Sequence, residues 1–418
     1  MDICLDACFQ HKIKFLYGCV FVRAINIGNL CEAAEILKKI GVDPYGINAM
    51  AAKTIHINIL IEKQPCKVAN IIKQEMLSVG GDAAVARGSV ACSLEASDIL
   101  LMGTQKQIMK LAEKIENQPF GLNKIAADLR QLLHRQNKQE LIFKTARRKI
   151  KIGERTLIMG ILNVTPDSFF DGGMFFEHER AVERGLQMAE QGADIIDIGG
   201  ESTRPGSKSV PANVELKRLM PVVESLAKKI KIPISVDTKK AVVAARAVDA
   251  GAEIINDVSA LAADKKMSAT AAATSAGLIL MHMRGIPRTM QKGDLIYDDL
   301  MGEIIGHLQK SMEKAVRAGV DKESVVVDPG IGFGKTAADN YRIIRDLSAL
   351  KTCGAPILIG TSRKSFIGRI TGDEPGERGE GTAASVAAAI MNGCHIVRVH
   401  DVAATKKVAA VVDAVIRA

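Results

Sequence analysis

The chain has 418 residues, 47% hydrophobic and 25% charged, with a net charge of +9 and no tryptophan. Its length exceeds one average domain, and its balance is that of a globular protein with a sizeable core. Aromatics at 4% supply few stacking platforms for single-stranded nucleic acid, and no stretch reaches the ~20 apolar residues of a membrane span.

The basic balance fits a nucleic acid, a membrane surface, an anionic substrate or a solvated surface. We expect small-molecule substrates, no nucleic acid and no membrane. The N-terminus carries Asp2 and Asp6, and the short apolar run Phe15–Val22 has no small-residue cleavage pattern after it, so no secretory signal is expected. The eight cysteines contain no C-x-x-C pair, which predicts free thiols in a reducing cytoplasm.

Residues 1–145 read as a small α/β domain. Gly18–Ile27 reads as a strand and Leu30–Ile40 as an amphipathic helix stopped by Gly41. Thr54–Ile61 alternates as a strand, with Ile55, Ile57, Ile59 and Ile61 on one face. Val68–Leu77 and Gln105–Glu116 have helical spacing, and Ala91–Met102 is a strand region. The glycine pair in Val79–Gly88 reads as a turn and His56 as a structural histidine. Asn117–Gly121 and the polar run Arg130–Glu140 form the link out, with the basic residues Lys144 to Lys151 as a charged linker. These residues predict no activity, and we expect an accessory assembly role.

Residues 146–418 alternate regularly. Apolar strands fall at Leu157–Leu162, Ile195–Ile198, Ile234–Val236, Ile254–Ile255, Leu278–Met281, Val325–Val327, Ile357–Ile359 and Ile396–Val399. Eight helical segments separate them, from Arg180–Gln191 to Val402–Arg417, and glycines such as Gly192, Gly251 and Gly319 cap their ends. This pattern predicts an α/β fold, a (β/α)₈ TIM barrel with the smaller N-terminal domain before it. A doubly wound open sheet is the alternative. A hairpin at Lys149–Ile152, turning at Gly153-Glu154, would plug the bottom.

Chemistry in a barrel gathers at the C-terminal strand ends. The first strand runs through Asn163 into a loop with Asp167 and Asp171. The others end at Gly199–Gly206, Asp237, Asn256-Asp257, Met281-His282, Asp328–Lys335, Ser362–Ser365 and Arg398–Asp401. Asp237, Asn256 and Asp328 offer paired hydrogen bonds to a flat, donor-rich heterocycle, and Lys364 could meet a ring carbonyl. Arg204, Arg398 and His400, with the hydroxyls of Thr203 and Ser362, suit an anion such as diphosphate. Asn163 could ligate Mg²⁺ together with diphosphate and water oxygens. Gly334-Lys335-Thr336 imitates the end of a P-loop, but position 329, where its first glycine belongs, is proline.

The ordered motifs NVTPDSFFDGG, DIGGESTRPGS, SVDT, INDVSA, DPGIGFGKT, GTSRKSFIG and RVHDV resemble dihydropteroate synthase over about residues 150–418. The resemblance implies a TIM barrel, usually dimeric, that joins p-aminobenzoate to the methylene of a dihydropterin diphosphate, with Mg²⁺ assisting. It implies a pterin site of Asp237, Asn256, Met281, Asp328, Gly360 and Lys364. Thr203, Arg204, Arg398 and His400, with the metal ligand Asn163, would hold diphosphate. Thr203, Pro205, Phe169, Phe333 and Ser362 would line the p-aminobenzoate site, where sulfonamides compete. Asp237, Asp328, Lys364, Asp167 and Asp171 would serve catalysis, both barrel aspartates ionised and the last two on a closing loop. Two rivals stand beside this reading: a related pterin-binding methyltransferase, which has no use for a diphosphate clamp, and a non-catalytic pterin carrier.

Overall fold

The computed structural model describes residues 22–138, 140–164, 174–202, 207, 209–285, 290 and 295–417. The chain divides into two compact units between Leu133 and His134.

In the first unit, β1 (His56–Pro65) and β2 (Asp82–Val85) flank β3 (Ala96–Thr104) in an antiparallel sheet. Strand alternation puts Ile59, Ile99 and Leu101 on one face. There they pack with Ile72, Met76, Ile108, Leu111 and Leu129, from helices Cys66–Ser78, Gln105–Ile115 and Leu122–Asn137. Helix Leu30–Ile40 begins where Asn29 accepts from the N–H groups of Cys31 and Glu32, and ends at Gly41 with φ +89°.

Several expectations change in this unit. Residues 22–27 carry no strand, and 18–21 lie outside the described residues. A second helix, Pro44–Thr54, follows the first; its Ala, Gly and Met residues lack the apolar stripe that marks a helix in sequence. The glycine pair turns as expected, with Gly80 at φ +80° and the Gly81 N–H donating to the Met76 carbonyl, and it leads into the short strand β2. The polar run read as a link belongs largely to helix Leu122–Asn137, whose Leu129 and Leu133 are buried while Arg130 pairs with Glu116 outside.

The second unit opens with a hairpin of β4 (Leu141–Lys144) against β5 (Lys149–Ile152). Its turn is therefore at 145–148, ahead of Lys149 rather than at Gly153-Glu154. Eight parallel strands follow: β6 (Leu157–Asn163), β7 (Ile195–Gly199), β8 (Ile234–Asp237), β9 (Ile254–Asp257), β10 (Gly277–Met281), β11 (Val325–Asp328), β12 (Leu358–Ile359) and β13 (Ile396–Val399). Their order is β11-β10-β9-β8-β7-β6-β13-β12, and a bridge between Val327 and Ile357 joins the two ends. The sheet is a (β/α)₈ barrel, with helices such as Ala212–Lys229 and Leu300–Arg317 outside it.

Alternation of side chains gives the strands two cores. Outward residues, among them Ile196, Ile198, Val236, Val327 and Val397, pack on the helices. Inward residues Leu157, Met159, Ile195, Ile254, Ile279, Val326, Leu358 and Ile396 meet Leu141, Phe143 and Ile152 of the hairpin. The ring of Phe143 takes the space beside Gly277, where an added Cβ would lie 2.6 Å from its Cζ. The barrel interior is thus closed at its base by an apolar floor.

Candidate active site

Two residues above that floor, the inward positions change character. Ile195 gives way to Asp197, Ile254 to Asn256, Val326 to Asp328 and Ile396 to Arg398, each one pleat further along its strand. Ser235 is followed by Asp237 in the same way. Asp237, Asn256 and Asp328 are all buried. Polar groups at this depth demand partners.

Arg398 is the partner of two of the acids. Its Nε donates to Asp197 Oδ2 at 2.6 Å and its Nη2 to Asp237 Oδ2 at 2.8 Å. Asn256 Nδ2 donates to the same Oδ2 of Asp197 at 3.0 Å. Burial pushes the Asp237 carboxyl up to about 7, with the Asp197 charge adding to the rise and Arg398 opposing it. Burial likewise raises Asp328, against the pull of Lys364 and the Gly330 N–H. Burial and the Arg398 ion pair thus act on Asp237 in opposite directions, and burial and Lys364 do the same at Asp328.

Lys364 is also pulled from its usual range, down to about 8, by burial and in spite of Asp328. Its Nζ donates to the Ile331 carbonyl and lies 4.7 Å from the centre of the Phe333 ring. Asp328 accepts from the Gly330 N–H at 2.7 Å. Gly330 has φ +70°, and a Cβ there would collide with the His282 carbonyl oxygen, so only glycine fits this turn. Behind the loop, buried Lys335 donates to Phe333 O at 3.1 Å and contacts His282 Nδ1 at 2.9 Å. Arg363, next to Lys364, is left-handed at φ +57°; Thr382 accepts its N–H and Arg378 donates to its carbonyl.

Ser362 Oγ and His400 Nδ1 stand 2.9 Å apart, so these two anion candidates are adjacent. Arg398, placed with them by the sequence reading, points its Nε at Asp197 and its Nη2 at Asp237. Asn163 ends β6 half-buried, its Oδ1 facing the open side of Gly199, near Asp237. Among the described residues no three His, Cys, Asp or Glu side chains gather as a metal cage. A single neutral amide oxygen fits Mg²⁺ only where diphosphate and water complete its shell. Met281 is buried beside Gly330, and Gly360 is the inward position above Leu358. Asp167, Phe169, Asp171, Thr203, Arg204 and Pro205 lie outside the described residues. The segment leading to the last three is anchored by Glu201, which pairs with Lys239 at 2.7 Å and with Lys240, itself bound to Glu215.

Asp197, which binds Asn256 and Arg398, and Lys239 and Lys240, which hold Glu201, are residues that a reading of strand ends passes over. Period-two counting was the available signal for Asp197: an acid between Ile196 and Ile198, inward of a buried strand, must have a partner. Nothing in the sequence marked the two lysines.

The pterin binding enzyme family matches residues 159–400. A probable bifunctional folylpolyglutamate synthase/dihydropteroate synthase of Halobacterium salinarum is 40% identical over 377 residues, 90% of this chain. The chain spans 45% of that relative's length. That match is longer than the second unit, so it extends into the first. The dihydropteroate synthase of Bacillus subtilis is 46% identical over 263 residues, 63% of this chain and 90% of that protein. A solved dihydropteroate synthase of Xanthomonas albilineans, in complex with 7,8-dihydropteroate, superimposes with a TM-score of 0.60 at 40% identity. It covers 66% of this chain, and 99% of that structure is matched.

Proposed function

Given that this chain belongs to the pterin-binding enzymes and, within them, to the dihydropteroate synthases, we propose that it condenses p-aminobenzoate with (7,8-dihydropterin-6-yl)methyl diphosphate. The amine nitrogen bonds to the methylene carbon, the carbon–oxygen bond to diphosphate breaks, and the amine gives up a proton. The products are 7,8-dihydropteroate and diphosphate. The observation that carries this reading is the set Asp237, Asn256, Asp328 and Lys364, converging at one end of the barrel above an apolar floor.

The dihydropterin ring donates electrons to its methylene, so departure of diphosphate leaves a stabilised cation. The protein's work is to hold the ring, grip the leaving group and place negative charge nearby. In this reading the ring's amino and N–H groups donate to Asp237, Asn256 and Asp328, while Lys364 donates to the ring carbonyl. Met281 and Gly360 flank the ring. Thr203, Arg204, Arg398 and His400 take diphosphate, and Phe169, Pro205, Phe333 and Ser362 receive p-aminobenzoate. Asp167 and Asp171 would close over the site and exclude water. Mg²⁺, held by Asn163 with diphosphate oxygens, would supply charge neutralisation on the leaving group.

Cys66, Cys92, Cys353 and Cys394 carry free thiols, as a reducing cytoplasm would keep them. Among the described residues no helix is long and apolar enough to cross a membrane. A homodimer completes the proposal, to be checked by sedimentation. The first unit would be an accessory assembly element.

Diphosphate release from the purified protein, with both substrates and Mg²⁺ present, tests the reaction. Release that requires p-aminobenzoate and is blocked by a sulfonamide is the expected result. Pterin binding without release would turn the answer to a carrier.

A further inference from the structure

We propose that Asp197 is a positioning residue that fixes which end of the Asn256 amide meets the pterin and which edge of the Arg398 guanidinium meets Asp237, and so makes the pocket selective for a donor-rich ring. The inference rests on the reaction proposed above.

One oxygen, Asp197 Oδ2, receives both Arg398 Nε at 2.6 Å and Asn256 Nδ2 at 3.0 Å. An amide has a donor end and an acceptor end, and a carboxylate accepts only. The carboxylate therefore draws the Asn256 nitrogen toward itself and leaves Oδ1 as the end available to a ligand. With Asp237 and Asp328 on the neighbouring inward positions, the barrel end presents acceptors from three strands. A ring carrying an amino group and ring N–H groups fits such a surface, and one presenting acceptors there does not. Holding Nε also turns the Nη2 edge of Arg398 toward Asp237.

Stability alone is a poor reason for this residue. Asp197 is fully buried, and its Oδ1 has no hydrogen-bond partner among the described residues. A buried acceptor left unpaired is costly, and an aliphatic residue would suit the strand better.

The test exchanges the two groups. Asp197→Asn leaves position 197 one neutral acceptor oxygen, which Arg398 Nε also claims, and sets an NH₂ beside it, so the Asn256 amide loses the carboxylate that holds its oxygen toward the ring and is free to offer its NH₂ there. The KM for the pterin diphosphate should rise roughly tenfold or more, the loss of one well-made hydrogen bond to substrate, while the KM for p-aminobenzoate stays within about twofold. The double variant Asp197→Asn/Asn256→Asp restores a donor–acceptor pair with its ends reversed and again presents an acceptor to the ring. Its pterin KM should return to within about threefold of the wild type. An unchanged pterin KM in Asp197→Asn, or a double variant no better than the single, overturns the proposal. Should Asp197→Asn not fold, the comparison is between Asn256→Asp and the double variant. Adding Asp197→Asn should then improve the pterin KM by about fivefold or more, and no improvement overturns the proposal. Wild-type turnover in the same assay separates these outcomes from a failure of the proposed reaction itself.

Discussion

The floor and the upper layer of the barrel interior share one architecture and follow opposite rules. Both are built from inward side chains of the same eight strands, one pleat apart. At the floor, Ile195, Ile254, Ile279, Val326 and Ile396 surround Phe143 and need nothing but each other. Above it, Asp197, Asp237, Asn256 and Arg398 are held by directed bonds, and one acceptor oxygen is left bare. Apolar packing tolerates small changes of shape. The polar layer exacts desolvation for every group and recovers it only in one arrangement. The floor should therefore govern stability and the layer above it turnover.

The largest effect should come from Arg398→Ala. Turnover should fall about a thousandfold if the guanidinium grips the leaving group. Stability should fall as well, by about 3–5 kcal/mol, because two buried carboxylates lose their shared cation. Arg204→Ala, a change in the other proposed clamp residue, should also abolish most turnover. Steady-state kinetics and urea unfolding read the two quantities separately. Unchanged turnover in both variants would remove the diphosphate clamp from the mechanism.

Phe143→Ala probes the floor. Removing a fully buried ring that plugs the barrel should cost about 3–5 kcal/mol. Turnover per folded molecule should stay within about twofold at a temperature well below the midpoint. A large loss of turnover without loss of stability would mean that the two layers are coupled and the contrast between them false.

A smaller effect, set by pH, belongs to Asp237. Its folded carboxyl stands near 7 against an ordinary 3.8. The folded state thus favours the protonated form. That contribution to stability is complete below about pH 4 and is lost as pH rises through about 7. Relative to Asp237→Asn, the wild type should lose stability across this window, as measured by urea unfolding at steps from pH 4 to 8. Parallel curves for the two proteins would show that Arg398 holds the carboxylate ionised throughout.

The barrel was legible because buried strands write themselves as apolar runs and their tips as sudden polarity. Asp237, Asn256, Asp328, Lys364 and Arg398 could be picked out in this way. Their pairings could not. Whether Arg398 meets an anion or Asp197 depends on side-chain direction across three strands, which no local pattern encodes. Asp197 itself was hidden inside an apolar run. In the first unit, helix Pro44–Thr54 lacks an apolar stripe, and helix Leu122–Asn137 presents so polar a face that its C-terminal half reads as linker. Periodicity finds elements that bury one face strongly, and it is weak where burial is shallow.

The smallest effect should come from Met281→Leu, at a site position where the polar layer keeps an apolar wall. Met281 is buried above Ile279 on β10, and its Cγ lies close to where a side chain at Gly330 would begin. Leucine conserves volume but not shape, so stability should change by less than about 1.5 kcal/mol. A flat ring lying on this wall would sense the lost reach of the thioether. The KM for the pterin diphosphate should then rise by only about two- to fivefold, since dispersion contacts are individually small, with p-aminobenzoate unaffected. If Met281→Leu instead matched Arg398→Ala in its loss of turnover, the wall would be setting the ring's position for reaction. The division between a packing floor and a directing layer would then fail at this strand.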